Sequence, residues 1–197
     1  MAGQSFPRLE TERLLLRKIV PGDAAALYAI FCDDEVTRYY DLATMVDLAD
    51  AETMVRRLAA RFKHSQAIRW GIVRKQDGVF VGTCGFHFQA AGFKAEIGYD
   101  LARMHWHQGY MVEALRAMLA YGFETLKLNR IEALVMPGNE ASAALLRRLG
   151  FCEEGLLREY AFVKGQYHDL RFYSLLRREA DKTLGVLDPS GLKPFGS

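Results

Sequence analysis

Partway along this chain the hydrophobic pattern changes period once, and that change limits the folds open to it. Residues 68–74 (IRWGIVR) alternate as a strand does, and residues 79–88 (VFVGTCGFHF) and 96–101 (EIGYDL) continue in the same manner. Gln76-Asp77-Gly78 is a hairpin turn signal, and Ala91-Gly92 marks the next turn. The centre of the chain therefore reads as an antiparallel meander. Beyond His105-Trp106-His107-Gln108-Gly109-Tyr110 the spacing turns helical as far as about Lys127, with Ala114, Leu115, Met118, Leu119, Gly122 and Phe123 on one side. Alternation makes a pleated surface with a face to cover, and an amphipathic helix supplies the cover.

The flanks extend this pattern. Residues 13–19 read as a strand, and Pro21 and Asp23 open a helix over residues 24–31. A second helix covers residues 47–63, with Asp47 as its cap and Met54, Val55, Leu58 and Phe62 at helical intervals. After the long helix come a strand at 130–135, a break at Pro137-Gly138-Asn139, and a short helix at 140–149 that Gly150 stops. Residues 151–157 and 170–176 read as two more strands, with Gly165-Gln166 in their connection. The expected fold class is α/β of the α+β kind: a mixed, mostly antiparallel sheet of about seven strands flanked by about four helices. Residues 8–178 form a single domain in this reading, and residues 179–197 a C-terminal tail.

Composition excludes several classes of protein. Of 197 residues, 50% are hydrophobic and 25% charged, so the chain is neither disordered, collagen-like nor a coiled coil. No apolar run reaches the ~20 residues of a membrane span, and the first residues lack the pattern of a signal peptide. A net charge of +2 gives no reason to expect a broad nucleic-acid footprint. Cys32, Cys84 and Cys152 are too few and too far apart for a disulfide framework or a zinc site. They read as free, buried thiols in a reducing compartment, hence a cytoplasmic protein.

The link before the long helix carries the chemistry. A helix N-terminus offers unpaired N–H groups and the positive end of a dipole, and Gly109 lets a ligand approach the backbone closely. Such a joint suits a phosphate or pyrophosphate, although strand–glycine–helix joints also occur without a ligand. Neither a G-x-G-x-x-G nor a G-x-x-x-x-G-K-[ST] motif is present. The order of elements, with EIGYDL, HWHQGYMVEALRAML and NRIEALVMPGNEASAALLRRLGFCEEGLLREY, resembles the GNAT superfamily of acyl-CoA-dependent N-acyltransferases. Within it the chain is most similar to the Rim-type branch, which acetylates protein N-terminal amines, and Leu9-Glu10-Thr11-Glu12-Arg13-Leu14-Leu15-Leu16-Arg17 fits that branch's opening LxTERLxLR strand.

The resemblance implies acetyl-CoA as cosubstrate and no metal. It implies that Trp106-His107-Gln108-Gly109-Tyr110-Met111, with Val112, forms the pyrophosphate loop, where Met111 replaces the family's small residue. It implies that the strand of Tyr99, Asp100 and Leu101 splays from its neighbour to admit the pantetheine arm. Asn139 and Ser142 match the family's Asn-x-x-Ser, and Leu146 stands where many relatives carry a tyrosine acid, so Ser142 is the candidate for the coenzyme sulfur. As residues alone, Asn139 also suits a helix cap and Ser142 an ordinary first-turn position.

Aminolysis of a thioester needs a neutral amine, a polarised carbonyl and a stabilised thiolate. Glu96 is the first candidate base and Glu159 the second; Glu96 could equally be a solvated or ion-paired strand residue, and Glu159 is only near the acid/base position that the Rim-type resemblance implies, whose register falls on Ala161. Tyr39 and Tyr40 could line an acceptor groove or sit in the core, and Tyr167-His168-Asp169 could border the acceptor pocket or merely close a hairpin. The expected partner is an amine acceptor, foremost a protein N-terminus, with a small-molecule amine or a non-catalytic acyl-CoA sensor as alternatives. A homodimer remains open; nucleic acid and membrane partners are not expected.

Overall fold

The computed structural model describes residues 5–88 and 92–183. In chain order the elements are β1 (Leu9–Glu10), β2 (Leu14–Lys18), α1 (Ala24–Phe31), α2 (Asp34–Thr37), α3 (Leu48–Lys63), β3 (Ala67–Arg74), β4 (Phe80–Phe88), β5 (Lys94–Leu101), α4 (Tyr110–Glu124), β6 (Arg130–Val135), α5 (Glu140–Arg148), β7 (Cys152–Val163), β8 (Gln166–Leu176) and α6 (Arg177–Thr183). The sheet has eight strands in the order β1-β2-β3-β4-β5-β6-β8-β7. Among its described ladders only β5–β6 is parallel. A parallel neighbour needs a crossover, and α4 provides it.

Helix starts follow the local chemistry. Asp47 caps α3 by accepting from the Ala49 N–H at 2.7 Å, and Asp50 completes a capping box. Asn139 caps α5, accepting from the Ser142 N–H at 3.1 Å. Leu14, Leu16, Trp70, Ile72 and Phe86 from the sheet pack against Leu115, Met118 and Leu119 of α4 in the main core. A smaller cluster joins Ile19, Leu27, Phe31 and Val55. Burying each such side chain contributes about 1.5–3 kcal/mol.

The eighth strand is β1, a two-residue edge piece paired with Leu15 and Leu16 and too short to show a period. Two helices beyond the expected four, α2 and α6, are likewise short. The largest difference lies in β7 and β8, which form one long hairpin through most of the expected connection. Lys164 and Gly165 turn it, both with positive φ (50° and 81°), as a two-residue hairpin loop requires. A bulge between Leu157 and Ala161, with Glu159 at φ 49°, interrupts the alternation there. The edge strand β7 is also exposed along most of its length, so no buried face marks it in the sequence.

Cys84 is buried, but Cys32 and Cys152 are exposed, contrary to the expectation of three buried thiols; all three are free. Among the described residues no helix is long and apolar enough to cross a membrane. Of the expected tail, residues up to Thr183 continue as α6, and residues 184–197 lie outside the described chain, as does Ala91 of the expected turn.

Candidate functional site

Strands β5 and β6 pair at three positions, Lys94↔Arg130, Ala95↔Ile131 and Glu96↔Glu132, and then part. β4 follows β5 all the way to Leu101, so only the β6 side of β5 is left open from Ile97 onward. A cavity of about 900 Å³ fills the gap and runs from the α4 N-terminus to Tyr39 and Tyr40.

At one end the chain turns through Arg103–His105 and enters α4. His107 and Gly109 both have left-handed backbones (φ 60° and 78°), and Gly109 is the α4 N-cap. A glycine carries such a φ without strain, and the turn leaves the first α4 N–H groups free of intrahelical partners. Trp106 donates its indole N–H to the Leu101 carbonyl at 2.7 Å, fixing the loop to the end of β5. Met111, the departure from the small-residue pattern, is buried and packs into the main core beside the cavity.

Midway, α5 and β5 face each other. The Tyr99 hydroxyl and Ser142 Oγ are 2.7 Å apart, and both residues line the cavity. Burial pushes the Tyr99 phenol up to about 12, so it stays protonated and able to donate. Leu146 is fully buried in the core, so the second hydroxyl beside Ser142 comes from the sheet, not from α5.

Further along the cavity wall, Glu96 stands opposite His87 on β4. Burial raises the Glu96 carboxyl, and the nearby charges of Glu132 and Asp41 raise it further. His87 goes the other way: burial, then the Arg69 and Arg61 charges, lower it to about 4. Arg61 Nη2 lies 3.3 Å from His87 Nδ1. A guanidinium can only donate, so Nδ1 accepts and the ring proton sits on Nε2. His87 is therefore a neutral donor toward the site, and Glu96 is the better proton acceptor.

Behind Glu96 lies a buried polar network. Arg69 crosses three strands, over Gly85 and Gly98, to pair with Asp100 at 2.5 Å. A Cβ on Gly98 would sit 2.7 Å from Arg69 Nη1, so this path needs a glycine there. Asp100 also accepts from the Thr83 hydroxyl (2.6 Å), the Thr83 N–H (3.1 Å) and the Tyr40 hydroxyl (3.2 Å). Arg69 reaches the Tyr40 oxygen at 2.6 Å and Thr83 Oγ1 at 2.7 Å.

The cavity wall brings together Glu96, Tyr99, Asp100 and Leu101 with Trp106, His107 and the segment from Gly109 to Val112, and faces them with Asn139 and Ser142. Asn139 keeps its capping role while doing so. The Asp100 carboxylate is occupied by its buried partners, and the Leu101 carbonyl by Trp106. Two expected residues stand apart. Gln108 is outside the wall, its carbonyl accepting from Arg13 Nη1 at 3.1 Å. Glu159 is exposed and lines a neighbouring cavity of about 570 Å³ with Arg38, Tyr167, His168 and Asp169. Tyr39 and Met136 border both cavities. The thiol of Cys84 is pushed up to about 12 by burial and takes no part.

Sequence reasoning missed Arg69, His87 and Arg148, all of which line the cavity. One signal for Arg69 was present: a charge inside the apolar run AIRWGIV. The glycines that give it a path are one and two strands away in register and far apart in sequence.

Residues 13–152 match the acetyltransferase (GNAT) domain. The uncharacterized N-acetyltransferase YoaA of Bacillus subtilis is 43% identical over 173 residues, spanning 87% of this chain and 98% of that protein. The [ribosomal protein uS5]-alanine N-acetyltransferase of Escherichia coli is 34% identical over 109 residues, 54% of this chain and 56% of its own length. Among solved structures, the ribosomal L7/L12 alpha-N-protein acetyltransferase RimL, in complex with coenzyme A, superposes with a TM-score of 0.76 at 20% identity. That alignment covers 86% of this chain and 98% of RimL.

Proposed function

The chain belongs to the GNAT acetyltransferase family, and from that membership we propose that it transfers the acetyl group of acetyl-CoA to a protein N-terminal amine by direct attack in a ternary complex. The observation that carries this reading is the parting of β5 from β6 beside the α4 N-terminus, which opens one cavity with a hydroxyl pair on one wall and a carboxylate on the other. The N–H groups from Gly109 to Val112 would hold the diphosphate. The unpaired edge of β5 would receive the pantetheine arm. When bound, acetyl-CoA supplies an electrophilic thioester carbonyl and a thiol leaving group.

Glu96, raised by burial, takes a proton from the incoming ammonium and leaves its nitrogen nucleophilic. The freed amine attacks the thioester carbonyl; as the C–S bond breaks, Ser142 gives its proton to the departing sulfur, the Tyr99 hydroxyl reprotonates Ser142, and the second proton shed by the acylated nitrogen returns to Tyr99. The neutral His87 ring stays a donor and does not compete for the proton.

Two features support a protein acceptor. The cavity adjoins the second one at Tyr39 and Met136, which border both, and that neighbouring hollow offers room for the residues behind a terminal amine. The E. coli relative acts on a ribosomal-protein alanine, and RimL is an alpha-N-protein acetyltransferase. The free cysteines fit a reducing, cytoplasmic setting.

The test is thiol release from acetyl-CoA against a panel of N-terminal peptides and small amines, with mass spectrometry locating the acetyl group. Turnover on peptide α-amines is expected. No acetyl-CoA binding by calorimetry would remove the reading, and turnover confined to small amines would remove the protein acceptor.

A further inference from the structure

Thr11 and Arg13 lie in the turn between β1 and β2, outside the cavity wall, yet both reach α4. The Thr11 hydroxyl donates to Glu113 Oε1 at 2.5 Å, as does the Arg13 N–H at 2.8 Å. Arg13 Nε donates to Glu113 Oε2 at 2.6 Å, and its guanidinium lies 4.6 Å from the centre of the Tyr110 ring. A second nitrogen of the guanidinium, Nη1, holds the Gln108 carbonyl at 3.1 Å.

That last contact has a geometric consequence. A trans peptide is planar, so the Gln108 C=O and the Gly109 N–H point in opposite directions. Drawing the carbonyl toward Arg13 sends the N–H the other way. Gly109, Tyr110 and Met111 line the cavity, and Gln108 does not. The peptide is free to flip on steric grounds, because glycine tolerates either sign of φ. A bond from outside the loop is what selects one orientation.

Arg13 also settles a charge conflict. Glu113 lies in the first turn of α4, beside the groups that would bind an anion. Burial works to raise its carboxyl, but the donors from Thr11 and Arg13 outweigh that and hold it below its usual range. The carboxylate is charged, and Arg13 cancels it locally.

We propose that Arg13 is a positioning residue for the coenzyme: it aims the Gly109 N–H into the cavity and neutralises Glu113 beside the diphosphate. The proposal rests on the acetyl-CoA reading above. Losing one aligned donor to a charged group predicts coenzyme binding roughly tenfold weaker. Turnover at saturating coenzyme should change little, because the reacting atoms are elsewhere.

Arg13→Lys keeps a cation for Glu113 but cannot span Glu113 and the Gln108 carbonyl together, whereas Arg13→Met removes both contacts. Coenzyme A affinity by calorimetry, amide exchange at Gly109 in the free protein, thermal midpoint and the KM–kcat split are measured for each. Expected for Arg13→Lys are a near-native midpoint, faster or shifted Gly109 exchange, weaker coenzyme A binding, and a rise in KM without a matching fall in kcat. If Arg13→Met does not fold, Arg13→Lys still decides. Native coenzyme A affinity in Arg13→Lys, or a loss of affinity that only follows a fallen midpoint, overturns the proposal. A wild-type protein that binds no coenzyme A overturns the acetyl-CoA reading and this proposal together.

Discussion

Replacing Asp100 by alanine should be among the most damaging single changes near the cleft. Its side chain is 1% exposed, and that of its partner Arg69 is 9% exposed. The substitution strands that guanidinium and removes the acceptor for Thr83 and Tyr40 as well. Removing one partner of a buried pair costs about 3–5 kcal/mol, because the other charge is left without compensation. For a chain of this size each kcal/mol moves the midpoint by about 2–4 °C, so a drop of roughly 6–20 °C is expected. That is a large share of the ~5–15 kcal/mol that holds a typical protein folded.

Thermal and urea unfolding measure the loss, and a double-mutant cycle with Arg69→Met apportions it. The double variant removes both charges, so it should be more stable than Asp100→Ala alone. Refutation would be a cost below about 1 kcal/mol, the level of an exposed pair. Strict additivity of the two single changes would refute the reasoning equally, since it would mean that the groups do not interact in the folded chain.

Other substitutions separate the remaining roles. Glu96→Gln should lower kcat/KM by roughly 10²–10⁴-fold and remove the acidic limb of the pH–rate profile. Because the folded pKa of Glu96 is raised, its ionisation costs stability as pH climbs through that value, so Glu96→Gln should also raise the midpoint at neutral pH. Tyr99→Phe should reduce kcat less than Ser142→Ala does, and adding it to Ser142→Ala should cost little more; equal and additive losses in single-turnover kinetics would contradict a relay. Gly98→Ala places a methyl 2.7 Å from Arg69 Nη1, the movable end of a side chain, so urea unfolding should show a loss of about 1–3 kcal/mol, smaller than for Asp100→Ala.

Much of this protein was readable from residue order. The meander, the long helix, the Asp47 and Asn139 caps and the glycine before α4 all depend on neighbours a few residues apart. Periodicity and capping act at that range, so a linear reading captures them. The β7–β8 hairpin escaped because a bulge shifts its alternation and the edge strand buries almost nothing. The loop residues and Ser142 could be named through family resemblance, and Glu96 by its place beside the expected cleft.

What needed three dimensions was every relation between distant residues. The β5–β6 parting is a matter of register, and no local preference encodes where a parallel ladder stops. Tyr99 meets Ser142 across 43 positions, Arg69 meets Asp100 across 31, and Arg13 meets Glu113 across 100. Glu159, the second candidate base, lines the neighbouring hollow, while Tyr160 and Ala161 beside it in the same bulge line the main cavity. Short-range torsional and capping energies select the elements. Packing selects which of their polar faces converge, and the chemistry of the cleft follows from that convergence.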